Sequence, residues 1–234
     1  MQTKILRLMG FIGERESSAV ENLNDALANA ATNTDGSKTT GYAVLYECVR
    51  TIVSVDCESG LRTLAVNLLG RFLMKKDNNI RYVALSTLKR IVEYDPDAVK
   101  RHRGTIVDCL RDPDVSIRRR ALELVVALVD EDNVKKLTGE MLNFLIVADK
   151  NTCSDICLKI ASTARRFAPS LRWEIEVLMT VYSVAGNYCQ KEIFARLIFL
   201  IGQADEKDHM GIIHKMFTKT TEELDLPEVQ VCFR

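Results

Sequence analysis

Apolar residues recur along this chain at one set of offsets, i, i+4, i+5 and i+8, in five successive blocks. The blocks are Val44, Cys48, Val49 and Ile52; Ile80, Ala84, Leu85 and Leu88; Ile117, Ala121, Leu122 and Val125; Ile156, Ile160, Ala161 and Ala164; and Ile193, Leu197, Ile198 and Ile201. Positions three to five apart share one face of an α-helix, so each block reads as the buried stripe of an amphipathic helix. The blocks begin 36, 37, 39 and 37 residues apart. A period of this length marks one supersecondary unit stacked repeatedly, each copy burying its stripe against its neighbours. A second series, Ile106, Leu142, Leu178 and Ile213, falls between the first at spacings of 36, 36 and 35 residues. Each repeat is therefore predicted to be a pair of antiparallel helices joined by a short turn.

The pattern predicts helices over 3–12, 18–31, 39–55, 59–75, 79–94, 97–110, 115–129, 133–147, 153–167, 171–185, 188–201 and 208–219. Pro96, Pro113, Pro169 and Pro227 all stand at joints, where the first turn of a helix makes no use of the missing N–H. Gly60, Gly104 and Gly186 mark further joints, and Asp35-Gly36 places a surface loop over 32–40. No segment shows the period-two alternation of a half-buried strand. The expected fold is all-α, an α-solenoid of about six HEAT- or armadillo-like helical pairs, since the period is near that class. The shorter tetratricopeptide repeat is disfavoured because its tryptophan–tyrosine signature is missing. Residues 1–234 are expected to form a single solenoid segment. Neither end supplies a polar capping repeat, so the chain reads as an internal piece of a longer trunk.

Charge alters this picture little. Thirty-two Lys and Arg residues balance 32 Asp and Glu, so no global field favours nucleic acid or membrane. No apolar run approaches the roughly 20 residues of a membrane span, and residues 1–13 lack the features of a signal peptide. Seven cysteines scattered through helical patterns read as reduced core thiols in a cytosolic protein.

Candidate chemistry is sparse. His209 and His214 are five apart and do not stack on one helical face, and tetrahedral metal sites need further ligands. Cys153 and Cys157 are four apart on a helix, yet no second pair stands at a metal-like spacing, so buried thiols are the expectation. Gly10 and Gly13 lack the third glycine and the preceding strand of a dinucleotide loop. No catalytic, metal or cofactor-binding constellation emerges, and the chain is not expected to be an enzyme. Trp173, the sole tryptophan, is expected to pack and not to act as a binding anchor.

One charge cluster stands out: Lys100, Arg101, Arg103, Arg111, Arg118, Arg119 and Arg120 against Asp108, Asp112 and Asp114. One reading is a solvated edge in which cations bond nearby carboxylates. The other is a surface for an acidic partner or an anionic membrane, carried by Arg101, Arg103, Arg118, Arg119 and Arg120. Arg81 and Arg118 hold equivalent places in successive repeats, as do Asp77 and Asp114, which suggests Asp–Arg contacts between stacked repeats.

Several runs go beyond periodicity. They include Leu69-Gly70-Arg71-Phe72-Leu73, Asn79-Ile80-Arg81-Tyr82-Val83-Ala84-Leu85, Arg101-His102-Arg103, and Thr105-Ile106-Val107-Asp108-Cys109-Leu110. Asp114-Val115-Ser116-Ile117-Arg118-Arg119-Arg120-Ala121 follows, with Phe167-Ala168-Pro169-Ser170 and Arg172-Trp173 further on. In these runs the chain resembles the trunk of the large adaptins, most closely the gamma type of the clathrin adaptor at the trans-Golgi network and endosomes. The resemblance is dense over 4–133 and patchier beyond.

That resemblance implies a cytoplasmic coat scaffold, peripheral on trans-Golgi and endosomal membranes and clathrin-coated vesicles, in vesicle-mediated protein transport. Its implied partners are a small sigma-type, a medium mu-type and a beta-type large subunit. An Arf-family GTPase and clathrin are engaged through the full complex, with no nucleic acid and no cofactor. The N-terminal signal-binding segment, hinge and ear of the family are not found, so no signal-binding residue is carried over. The alternatives are another adaptin large chain of alpha or epsilon type, or a HEAT-repeat regulatory scaffold of a phosphatase, kinase or transport receptor.

Overall fold

A computed structural model describes residues 1–36, 39–55, 57–204, 210–214 and 218. The chain divides into two compact units, Met1–Leu128 and Val129–Arg234. Among the described residues both are helical, without strands.

The first unit holds α1 (Gln2–Gly13), α2 (Ser17–Asn33), α3 (Thr39–Ser54), α4 (Ser59–Leu73), α5 (Asn78–Ile91), α6 (Pro96–Lys100), α7 (Arg103–Asp108) and α8 (Val115–Ala127). Helices α1 and α3 pack side by side, as do α5 and α8, forming one layer; α2, α4, α6 and α7 form the other. The second unit holds α9 (Val134–Ile146), α10 (Lys150–Phe167), α11 (Leu171–Ala185) and α12 (Lys191–Gln203). There α10 packs against α9 and α11, and α11 against α9 and α12. Paired helices with like stacked on like is the predicted all-α, HEAT-like arrangement.

Local chemistry sets the joints. The Asp77 carboxylate accepts from Asn79 N (2.8 Å) and Ile80 N (3.4 Å) to start α5, and Asp114 accepts from Ser116 N (2.8 Å) to start α8. Asp95 caps α6, with Pro96 in its first turn, and Ser170 caps α11 through Trp173 N (3.2 Å). These side chains satisfy N–H groups that the helix itself leaves unpaired. Helix α11 ends at Gly186, whose φ of +51° is a left-handed conformation that costs glycine little.

Most stripe positions are buried as the offsets require. Cys48, Val49, Ile52, Ala84, Leu85, Leu88, Ile117, Ala121, Ile160 and Ala164 are sealed from solvent. Val44, Ile80, Ala161 and Ile201 are half-buried, and Ile198 is 56% exposed. Helix α12 buries Ile193, Leu197 and Leu200 instead, a narrower i, i+4, i+7 stripe from which position i+5 falls outside. In the second series Ile106 and Leu178 are buried, but Ile213 is exposed and Ile212 is buried in its place.

The single helix expected over 97–110 is divided. Helix α6 stops at Lys100, a turn spans Arg101 and His102, α7 follows, and Cys109–Arg111 tightens into a 3-10 turn. The break seats the His102 ring on Gly70 of α4, where any Cβ would lie 2.4 Å from ring atoms. There His102 Nε2 sits 3.2 Å from Asn67 Oδ1. Gly104, a poor helix former, is the second residue of α7. Of the helix expected over 208–219, residues 210–214 are helical; 208, 209, 215–217 and 219 lie outside the described residues, as does Pro227.

The remaining glycine question is also answered by packing. Gly10 and Gly13 are buried on α1, and a Cβ at Gly13 would lie 2.8 Å from Val55 Cγ2 and 3.1 Å from Leu23 Cδ1. Glycine lets α1 approach α3 closely enough for the Thr51 hydroxyl to reach the Leu6 carbonyl at 3.0 Å.

Candidate functional site

Arg118, Arg119 and Arg120 are consecutive on α8, so their side chains leave the helix about 100° apart. Arg118 folds back and its Nη1 donates to the carbonyls of Asp112 (2.9 Å) and Pro113 (3.1 Å). Arg120 turns toward α5, where its Nε and Nη2 donate to Tyr82 Oη at 3.2 and 3.0 Å and its Nη1 to Glu123 Oε2 at 3.0 Å. Arg119 points outward and is exposed. Arg101 is exposed in the α6–α7 turn, and Arg103 is half-buried at the start of α7. The five arginines thus divide into structural cations and free ones.

Arg119 and Arg120 line a groove of about 550 Å³ between α5 and α8, together with Asn78, Asn79, Tyr82, Asp114, Ser116, Ile117 and Glu123. Arg101, Arg103 and Arg118 are not part of its lining. Most of its charge is already committed. The Asp114 carboxyl is held below its ordinary range by the Ser116 N–H and, after a smaller burial effect, by the Asn78 amide, which donates at 2.9 Å. Burial pushes the Glu123 carboxyl up, but the Lys89 ammonium at 2.7 Å and the Arg120 guanidinium outweigh it and hold the pKa below the usual range. Among the described residues, neither Arg119 nor the Asn79 side-chain amide has a hydrogen-bond or ion-pair partner.

A second groove, of about 200 Å³, lies on the other side of α5 and is lined by Tyr42, Ala43, Tyr46, Phe72, Asn79, Ile80 and Val83. Tyr42 meets Phe72 edge-on with ring centroids 5.8 Å apart, and the Lys75 ammonium stands 5.3 Å from the Tyr42 ring. Asn79 belongs to both grooves. The aromatic groove was missed in the sequence, because its walls come from three separate helices.

The expected Asp–Arg contact between repeats exists with a different aspartate. Arg81 of α5 pairs with Asp112, while Asp114 takes the amide of Asn78. Other polar links obey the same spacing: Arg7–Glu47, Asn67–His102, Lys89–Glu123 and Tyr82–Arg120 span 40, 35, 34 and 38 residues. In the second unit Gln190 donates to Ser154 across 36. Side chains therefore bond their counterparts one repeat away.

Cys153 and Cys157 are buried on α10, and Cys157 also hydrogen-bonds Cys189. No group of three or more metal-ligating side chains is suitably placed among the described residues. His209 lies outside the described residues, His214 is exposed, and Trp173 is half-buried. No described helix is long and apolar enough to cross a membrane.

A family model for the adaptin N terminal region matches residues 1–233. The chain belongs to the adaptin family. It is 49% identical over 206 residues to the AP-1 complex subunit gamma of Dictyostelium discoideum, covering 88% of this chain and 23% of that protein. It is 44% identical over 232 residues to the AP-1 complex subunit gamma-like 2 of Homo sapiens, covering 99% of this chain and 29% of that protein. To the AP-1 complex subunit gamma-1 of Schizosaccharomyces pombe it is 38% identical over 224 residues, covering 96% and 26%. The gamma-type resemblance seen in the motifs is thus borne out in this adaptin. The chain spans about a quarter of the length of these relatives. In fold it is similar to a crystal structure of an engineered protein, with a TM-score of 0.51, 15% identity, and coverage of 85% and 89% of the two chains.

Proposed function

We propose that this adaptin chain is a structural segment of the large gamma-type subunit of a clathrin-associated adaptor complex, acting in protein transport between the trans-Golgi network and endosomes. The observation that carries this is the similarity to AP-1 gamma subunits from an amoeba, a human and a fungus over 88%, 99% and 96% of the chain. Stacked helix pairs joined by polar links at repeat spacing support a scaffold, whose broad surfaces hold partners through a few buried anchors. On this reading it performs no catalysis and continues as one trunk across both units. Its partners are a small sigma-type, a medium mu-type and a beta-type subunit, with an Arf-family GTPase and clathrin engaged by the whole complex on the membrane. Arg101 and Arg119, exposed and uncommitted, are the strongest members of the partner or anionic-membrane surface that also includes Arg103, Arg118 and Arg120.

Affinity purification of the full-length protein from its own cells tests this. Small, medium and beta-type adaptor subunits are expected in the eluate. A phosphatase or kinase catalytic subunit, or transport-receptor cargo, in their place overturns the reading.

A further inference from the structure

We propose that Cys157 and Cys189 form a redox modification site, at which a peroxide oxidises Cys189 and Cys157 closes on it in a reversible disulfide. Both residues belong to the second unit, and the site is independent of the adaptor reading.

Three thiols are gathered where α10 meets the link into α12. Cys153 and Cys157 are four residues apart on α10, a spacing that sets two side chains next to each other on one face. The link brings the third. Its 3-10 turn, Gly186–Tyr188, packs on α10, and the Cys189 N–H closes that turn on the Gly186 carbonyl at 3.0 Å. The next residue, Gln190, donates to the Ser154 hydroxyl at 3.1 Å, and Ser154 neighbours Cys157 across one helical turn. Cys189 is thereby set against Cys157, and the two thiols hydrogen-bond. Cys157 also hydrogen-bonds Cys153, so it is the middle thiol of the three.

Access and charge divide the roles. Cys153 and Cys157 are buried, whereas Cys189 is half-buried, so a small solute reaches Cys189 first. The Cys157 S–H donates to the Cys189 sulfur, which lowers the Cys189 pKa and raises that of Cys157. An accessible thiol of lowered pKa beside a second thiol is the arrangement of a peroxide-sensitive cysteine and its resolving partner.

In the first step the Cys189 thiol gives up its proton and the thiolate attacks one peroxide oxygen. The S–O bond forms as the O–O bond breaks, leaving Cys189 as a sulfenic acid. The second oxygen departs as hydroxide and takes the released proton to become water. The Cys157 sulfur then attacks the sulfenic sulfur: the S–S bond forms and the S–O bond breaks. The hydroxyl leaves with the Cys157 proton as a second water, so two thiols are oxidised and one peroxide is reduced. Two equivalents of a small thiol reverse this by exchange, through a mixed disulfide. While it lasts, the disulfide ties α10 to the start of α12 and closes the chain around α11, a constraint on the unfolded state.

For the test, the full chain is reduced, freed of reductant, treated with hydrogen peroxide, then blocked with iodoacetamide in urea. Peptide mass mapping without reduction is expected to find Cys157 cross-linked to Cys189, and dithiothreitol to abolish the cross-link. Cys157→Ser strands the sulfenic acid, so dimedone labelling of Cys189 is expected to rise by about tenfold or more, with circular dichroism unchanged. The site is overturned if Cys189 stays a thiol, proceeds to sulfinic acid uncross-linked, or pairs with any other cysteine instead. It is also overturned if the cross-link forms as fast in urea as in buffer, since the fold then contributes nothing. An unchanged dimedone yield in folded Cys157→Ser removes Cys157 as the resolving thiol; if that variant does not fold, the parent's cross-link map decides alone.

Discussion

Arg81 of α5 and Asp112, in the link ahead of α8, form an ion pair across one repeat step with side chains only 18% and 3% exposed. Asp112 is held on every side: its other carboxylate oxygen accepts the Asp114 N–H at 2.9 Å, and its carbonyl accepts Arg118 at 2.9 Å. Arg81 also donates to Asn78 Oδ1 at 2.6 Å. One aspartate thus fixes the link, the start of α8 and the register of α8 on α5. The energetic consequence depends on which partner is removed.

Asp112→Ala leaves the Arg81 guanidinium with no anion in a dry site, and losing one member of a buried pair costs about 3–5 kcal/mol. Replacing both with apolar residues, as Arg81→Met with Asp112→Leu, avoids the orphaned charge and is expected to cost clearly less than the single change. Urea unfolding of the two single variants, the double variant and the parent measures this. Additive single effects would mean the pair is not coupled.

Gly70→Ala pits two effects against each other. Alanine in a helix interior is favoured over glycine by about 1 kcal/mol, but here the new Cβ lands 2.4 Å from the His102 ring. Displacing the ring loses its packing and its bond to Asn67, so Gly70→Ala is expected to destabilise the parent by about 1 kcal/mol. In a His102→Ala background the obstacle is gone and the same change is expected to stabilise. Thermal unfolding of both pairs checks for that reversal of sign.

The same histidine makes stability depend on mild acid. Burial, then the nearby Arg101 charge, holds the His102 pKa below its ordinary 6.5. The unfolded chain therefore binds the proton more readily than the folded one. His102's contribution is complete above about pH 6.5 and falls away as pH drops toward its folded pKa. Glu47, Glu123 and Asp114 are held below their ordinary 4.5, 4.5 and 3.8, so their contributions fade only at lower pH. His102→Gln is expected to flatten the stability profile below about pH 6.5. An unchanged slope would mean the ring titrates as it does in the unfolded chain.

The stripes were legible because each stripe helix is packed along one side, so burial follows the helical period in the sequence itself. Ile198 broke the rule because α12 buries the narrower Ile193–Leu197–Leu200 stripe. The split at Arg101–His102 was not legible, since it depends on Gly70 and Asn67 some 30 residues earlier in the chain. The cluster Arg118–Arg120 reads as one patch on a line, yet consecutive helical positions diverge by about 100°, so only Arg119 is free for the groove. Choice among neighbouring aspartates, Asp112 over Asp77 or Asp114 for Arg81, is set by link geometry that residue type does not encode.

Cysteine reactivity offers a prediction from contacts that only the folded chain creates. Burial pushes the Cys48 and Cys109 thiols up to about 11, leaving almost no thiolate near neutral pH. At Cys189 the hydrogen bond with the Cys157 thiol lowers the pKa and outweighs burial, while that bond and burial raise Cys157. Thiolate is the attacking form, and Cys189 is half-buried while Cys157 is sealed. Brief iodoacetamide treatment near neutral pH, read by peptide mass mapping, is expected to label Cys189 before Cys48, Cys109, Cys153 or Cys157. Cys157→Ala removes the donor and should slow labelling of Cys189, whereas Cys157→Ser keeps a hydroxyl there and should restore part of the rate. Equal Cys189 rates in the parent and Cys157→Ala would show that exposure alone, and not the thiol pair, governs its chemistry.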